Sequence, residues 1–385
     1  MRPAGRAAFP LVVVAAMAAG AVLAPADALL VAPLAGGASS TFAGASTASS
    51  TAGPRVRHVF VVNIENKGYT ETWGAGSQAP YLARTLRNKG VLLTYYYGTA
   101  HHSQPNYVAQ ISGQGPNPQM QGDCGMYSAF HEVGTTAPQQ AVGSGCVFPK
   151  RVNSLPQQMS RHHLRWKGYM DDMARGCQHP RLNTRDRTEQ ATARHEYATR
   201  HDPFVYFRSI TSRPRYCARH VVKLRRLRTD LASARTTPHL AYITPDLCND
   251  GHDSPCADGR PGGLVTVNTW MKRWIPRILA SPAFQRNGLL VITADESDGG
   301  ASGSTACCGE GPSANTPQPG IDGPGGGRIG ALVLSPWTRG GTATSRRYNH
   351  YSLLASIENV FGLKHLGYAR TRGLNTFGPD VYNKP

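Results

Sequence analysis

The chain has 385 residues, with 41 Lys and Arg against 23 Asp and Glu, for a formal charge of +18. That length buries one large core or two smaller ones, and the eight cysteines show no paired CxxC spacing, which argues against a thiolate zinc site. Such a basic surface attracts phosphorylated substrates, nucleic acid or an anionic cell envelope, but without an RNA- or DNA-binding motif no specific nucleic-acid binding is expected.

At the N-terminus, Arg2 and Arg6 precede an apolar run from Ala7 to Leu23, and small residues follow at Ala24-Pro25-Ala26 and Ala26-Asp27-Ala28. This reads as a secretory signal over residues 1–28, with an uncleaved membrane anchor as the competing reading. Residues 29–54 are rich in Ala, Ser, Thr and Gly and hold too little apolar bulk to order themselves. A folded domain is expected over 55–385, in a protein secreted from a bacterial cell or associated with its envelope. All eight cysteines fall in that domain, and an even number in an exported chain favours disulfides. Neighbouring pairs give the shortest loops, 124–146, 177–217 and 248–256, which leaves the adjacent Cys307 and Cys308.

The first apolar strand runs from Val56 to Ile64, β-branched and nearly continuous, as in a strand buried on both faces of a parallel sheet. Further strands are predicted at 240–244, 288–294 and 329–335. Helices are predicted over 81–89, 153–162, 217–232, 264–279 and 351–361, with another starting at Tyr107 after Pro105 holds Gln104 extended. Strands alternating with helices indicate an α/β fold with a mostly parallel sheet. Two Gly/Pro-rich insertions interrupt it, 113–149 and 299–327, the second read as a long loop near the site.

Carboxylates follow three of these strands: Glu65 with Asn66, Asp246 with Asp250 and Asp253, and Asp295 with Glu296. In open α/β sheets ligands bind beyond the carboxyl ends of the strands, so all three groups belong at one edge. Glu65, Asn66, Asp295 and Glu296 offer the oxygen ligands a hard divalent cation requires, and Ser103 completes the set as an alkoxide. A cation touching the Ser103 oxygen lowers its pKa and creates a nucleophile. Asp295 and Glu296 serve one site only if the backbone turns, and Ser297-Asp298-Gly299-Gly300 supplies a turn. The segment Thr99-Ala100-His101-His102-Ser103-Gln104-Pro105-Asn106 adds imidazoles and a carboxamide suited to holding an anion. His252 lies between Cys248 and Cys256, where a disulfide would fix it as an anion donor or general acid. His350 opens a helix, where the positive dipole end favours a neutral imidazole or one paired with an anion.

These residues resemble the bacterial phosphoesterase family of acid phosphatases and phospholipases C. The likeness runs through Glu65-Asn66-Lys67-Gly68-Tyr69, Thr99 to Tyr107, Asp246 to Asp253, Thr293 to Glu296 and Tyr348 to Ser352, in order along the mature chain. It implies a three-layer α/β/α sandwich of the alkaline-phosphatase-like superfamily. It also implies a divalent metal held by Glu65, Asn66, Ser103, Asp295 and Glu296, with Ser103 as the phosphorylated nucleophile. Asn106, His101, His252 and His350 would hold phosphoryl oxygens, and His252 and His350 would also pass protons. Glu296 has a longer arm than the Asp some members carry there, which bears on metal geometry. The expected substrate is a phosphate monoester on a small molecule. A lipid-headgroup diester is the alternative, and a non-catalytic binder of anionic envelope polymer is the reading from another class.

Overall fold

The run His58-Val59-Phe60-Val61-Val62-Asn63-Ile64 is buried at every position, and this first strand (β1, His58–Ile64) lies near the middle of the sheet. The fold is taken from a computed structural model that describes residues 55–384; the predicted signal and linker lie outside the described residues. Seven more strands join β1: β2 (Val91–Tyr97), β3 (Trp166–Met170), β4 (Val221–Lys223), β5 (Leu240–Thr244), β6 (Gly288–Ala294), β7 (Ala331–Leu334) and β8 (Thr342–Asn349). Their order across the sheet is β8-β2-β7-β6-β1-β5-β3-β4. Neighbours run parallel except β7, which is antiparallel to both β6 and β2.

Five helices matter for the site: α1 (Ser103–Ser112), α2 (Leu155–Arg161), α3 (Gly263–Leu279), α4 (Pro282–Asn287) and α5 (His350–Phe361). Strand register shows that they cover both faces. Tyr242 of β5 sits beside Val61 of β1 and reaches α1, where its hydroxyl donates to Gln110 Oε1 at 2.9 Å. Phe60, one residue from Val61, points the other way and packs on Phe284 of α4, ring centroids 6.4 Å apart. Helix α5 packs on α1, and α3 packs on α4. The result is the three-layer α/β/α sandwich with a mostly parallel sheet.

The predicted strands at 240–244 and 288–294 match the observed bounds, and those at 56–64 and 329–335 shorten by a residue or two at their ends. The predicted helix 217–232 is not continuous: the edge strand β4 splits it into Pro214–His220 and Arg226–Asp230. Helix α1 starts four residues before Tyr107, at Ser103, and takes in both Gln104 and Pro105. A proline in the first turn costs little because its missing N–H would have had no partner there.

All three predicted disulfides form, and Cys307 bonds to Cys308, leaving no free cysteine among the described residues. The loop 299–327 is tied down by Glu310. One of its carboxylate oxygens accepts from the backbone N–H of Cys307 at 3.1 Å and of Cys308 at 2.6 Å. The other accepts from the side-chain amide of Asn349, whose own oxygen caps α5 through the N–H of Ser352 at 2.9 Å. Among the described residues no helix is long and apolar enough to cross a membrane.

One buried charge in α5 gives a test of the packing. Glu358 has no exposed surface, and burial pushes its carboxyl up to about 9 against the opposing pull of the Leu366 backbone N–H. In the unfolded chain the same group titrates near 4.3. Between those values the folded state holds a proton the unfolded state has lost, so stability falls as pH rises through this window. Glu358→Gln keeps the shape without the titration. It should be more stable than the wild type at pH 8 by at least about 1 kcal/mol and nearly equal at pH 4, in urea melts.

Candidate active site

Strands β5, β1 and β6 are parallel neighbours, so residues just past their carboxyl ends meet at one edge. Glu65, Asp250 and Asp295 arrive there together: the N–H of Glu65 donates to the Asp250 carbonyl at 2.9 Å, and the N–H of Asp295 donates to the Ile64 carbonyl at 3.0 Å. All three side chains are completely buried. Gly98, at the end of β2, completes the approach. A Cβ there would lie 2.8 Å from the carbonyl oxygen of Asp295, so only glycine lets the two segments come this close.

Glu65 is the hub. Its Oε2 accepts from the Ser103 hydroxyl at 2.9 Å, and its Oε1 accepts a short bond from the Tyr107 hydroxyl. His201 bridges Glu65 to Asp250, with Nε2 3.3 Å from Glu65 Oε2 and Nδ1 3.1 Å from Asp250 Oδ2, while its ring stacks on Tyr107. Asn66 turns the chain at a positive φ of 50°, a conformation asparagine tolerates better than most residues. Its N–H donates to Asp295 Oδ1 at 3.0 Å. Ser103 is the first residue of α1, so its hydroxyl sits at the positive end of a ten-residue helix.

The other predicted residues take more varied places. His101 pairs with Glu296, and its Nε2 lies 3.1 Å from the Gly303 carbonyl, so the 299–327 loop does border the site. Burial pushes the imidazole of His101 down and the carboxyl of Glu296 up. Asn106 is occupied by its own loop: its oxygen accepts from the N–H of Thr99 at 2.8 Å and of Ala100 at 3.0 Å, and its amide donates to the carbonyls of Ala100 and His102. His350 lies behind Asp295 with no exposed surface. Its Nε2–H donates to the Asp295 carbonyl and its Nδ1 accepts from the Tyr96 hydroxyl at 3.0 Å, while burial lowers it to about 4. Of the two states expected at a helix start, a neutral imidazole or one paired with an anion, this arrangement is the neutral one. His252 is partly exposed, held by Asp253 on Nδ1 at 2.7 Å and by Arg200 on Nε2 at 3.1 Å.

Sequence reasoning passed over Tyr107, Arg200 and His201 as site residues, and it left Asp250 as a strand-end acid without a role. Asp250 had a signal in its position beyond β5. Arg200 and His201 had none, because they sit in a loop far from any motif and reach the site only through the tertiary fold. Asp123 was missed for the same reason. Its Oδ1 accepts the N–H of Gln104 at 2.9 Å, and its Oδ2 lies 3.8 Å from Arg200 Nε.

The donor set suits a cation. Burial raises the carboxyls of Glu65, Asp250 and Asp295, and the nearby negative charges raise Glu65 further. Asn66 Oδ1 and Asp295 Oδ2 are buried without a hydrogen-bond partner. Burial pushes the His201 imidazole down, and its Nε2, 3.3 Å from Glu65 Oε2, has no hydrogen-bond partner. These unsatisfied donor atoms beside buried carboxylates leave room for a positive charge. Ligand atoms of Glu65, His201 and Asp250 lie within 4.8 Å of one another.

Asn106→Ala removes the bonds that shape the 99–102 turn ahead of Ser103. At about 1 kcal/mol per buried hydrogen bond, it should cost on the order of 2–4 kcal/mol in urea melts and lower activity with it. A melt unchanged from the wild type would contradict this placement.

Comparison with known proteins places the chain among phosphoesterases. The model of the Phosphoesterase family matches residues 75–364, which include Ser103, Asp250 and Asp295. The chain is 25% identical over 326 residues to an acid phosphatase of Aspergillus fumigatus, covering 84% of this chain and 58% of that protein. It is 25% identical to a phosphate-repressible acid phosphatase of Penicillium chrysogenum, covering 73% and 54%. It thus spans little more than half the length of these two fungal proteins. A phosphatidylinositol-3-phosphatase of Mycobacterium tuberculosis is 22% identical, covering 83% of this chain and 82% of that one. Among solved structures, the lipoteichoic acid synthase LtaP of Listeria monocytogenes overlaps 85% of this chain and 76% of its own at a TM-score of 0.45 and 9% identity. The family match spans most of the described residues and contains the start of α1 and the ends of β5 and β6, while Glu65 and Asn66 at the end of β1 lie just before it: the chain belongs to the Phosphoesterase family.

Proposed function

We propose that the chain hydrolyses phosphate monoesters outside the cytoplasm through a phosphoserine at Ser103, with a divalent cation held by Glu65, Asn66, Asp295 and Glu296. The observation that carries this reading is the Ser103 hydroxyl at the start of α1, bonded to a fully buried carboxylate. Glu65 is placed to take the hydroxyl proton as the Ser103 oxygen attacks phosphorus and the alcohol departs. The helix N-terminus favours the negative charge that then rests on the phosphoserine. A cation at this site would lower the pKa of the serine oxygen and offset phosphoryl charge. Asp250 and His201 join the predicted ligands as further candidates, since they share Glu65.

The remaining residues support the reaction from fixed positions. His252, partly exposed between Asp253 and Arg200, is open to a leaving group, and it would pass a proton only on releasing Arg200. His101 holds Glu296 in place, Asn106 shapes the turn that presents Ser103, and His350 anchors the Asp295 backbone. A second reading, a phosphate monoester on a lipid headgroup, is favoured by the mycobacterial relative, which is named for a phosphoinositide and most of whose length this chain covers.

The mature protein should hydrolyse an aryl phosphate monoester faster than the matching diester. Ser103→Ala should reduce turnover by at least about a thousandfold while leaving the melting temperature within a few degrees, and a chelator should abolish turnover reversibly. Activity that survives both treatments would sink the mechanism. A diester preference would turn the reading toward headgroup cleavage.

A further inference from the structure

We infer that Arg200 is the anion grip of this site, its guanidinium taking the non-bridging oxygens of a substrate phosphoryl group in exchange for the Asp123 carboxylate. The inference rests on the phosphoesterase reading and names a residue that reading leaves without a task.

Arg200 is only 3% exposed, yet no carboxylate bonds it directly. Its Nη1 donates to the Glu189 carbonyl at 2.8 Å and its Nη2 to His252 Nε2 at 3.1 Å, both neutral acceptors. The Nε–H has no partner, and the nearest carboxylate oxygen, on Asp123, stands off at 3.8 Å, beyond a hydrogen bond. A buried cation with a free donor and a loose counter-ion calls for an anion.

Its place in the site supplies that anion's identity. The Asp123 carboxylate that faces Arg200 also accepts the N–H of Gln104, the residue next to Ser103. A single carboxylate therefore spans the gap between the guanidinium and the turn that carries the nucleophile. Asp123 is partly exposed and can move into water, whereas Arg200 is fixed. A planar fork of N–H donors matches two oxygens of a phosphate.

His252 serves this arrangement as a positioning residue. Arginine only donates, so Nε2 of His252 must accept from it, and the Nδ1–H then goes to Asp253. The imidazole orients the guanidinium while the guanidinium meets the oxygens.

Inorganic phosphate binding, measured by isothermal titration calorimetry on the purified full chain, tests this without turnover. Arg200→Gln should weaken binding at least tenfold with melting temperature and metal content unchanged, and Arg200→Lys should recover only part of it. Binding within twofold of the wild type in a folded, metal-replete Arg200→Gln protein would overturn the assignment. Should that variant fail to fold, Asp123→Asn decides, since it removes the competing charge and keeps an oxygen for the Gln104 N–H. It should tighten phosphate binding severalfold, and unchanged or weaker binding would overturn the proposal. A wild type that binds phosphate but cleaves no ester defeats the catalytic reading and leaves the Arg200 result standing.

Discussion

A carboxylate with no exposed surface, at the carboxyl end of the middle strand, sets the terms for everything around it. Glu65 has Asp250 on one side and Asp295 on the other because β5 and β6 flank β1 in parallel register. Three such groups out of water, and within reach of one another, repel unless something positive or protonated intervenes. The surrounding polar groups are the response. Tyr107, Ser103 and His201 all turn toward Glu65, the first two from α1 and the third from a turn that packs on α1.

Helix α1 translates that constraint into chemistry. It packs against the same face of the sheet that Tyr242 and Asn63 present, through Gln110, which accepts from the Tyr242 hydroxyl and donates to Asn63 Oδ1. This fixes the helix axis, and the axis in turn fixes where Ser103 emerges. The turn before it is stiffened by Asn106 rather than by regular hydrogen bonding. A hydroxyl held this way would lose little freedom on reaching a transition state, which is how a rigid scaffold contributes to rate.

The parts of the site legible in the sequence were those attached to regular elements. Glu65, Asp295 and Ser103 stand at the ends of a strand, a strand and a helix, where apolar periodicity and turn residues mark the boundary. The edge strands β4 and β8 were not legible, since residues such as Lys223, Arg346 and Arg347 face solvent and carry no apolar alternation. Nor were Asp123, in the first insertion, and Arg200 and His201, in a short turn between β3 and β4, whose approach depends on how these connections fold back. Periodicity places elements. It does not say which loop residue returns to meet them.

Glu310 has a consequence for how this protein can vary. One carboxylate joins the backbone of a long, glycine-rich loop to Asn349, the residue that caps the helix carrying His350. The loop also touches His101 through Gly303. Its length and sequence are therefore not free to drift independently of the candidate site, as those of a surface loop usually are. Residues added between Gly303 and Glu310 would have to leave both anchor points in place, or else shift the helix start and the imidazole together. Within this scaffold, diversification of substrate range should concentrate in stretches of the loop away from those two anchors.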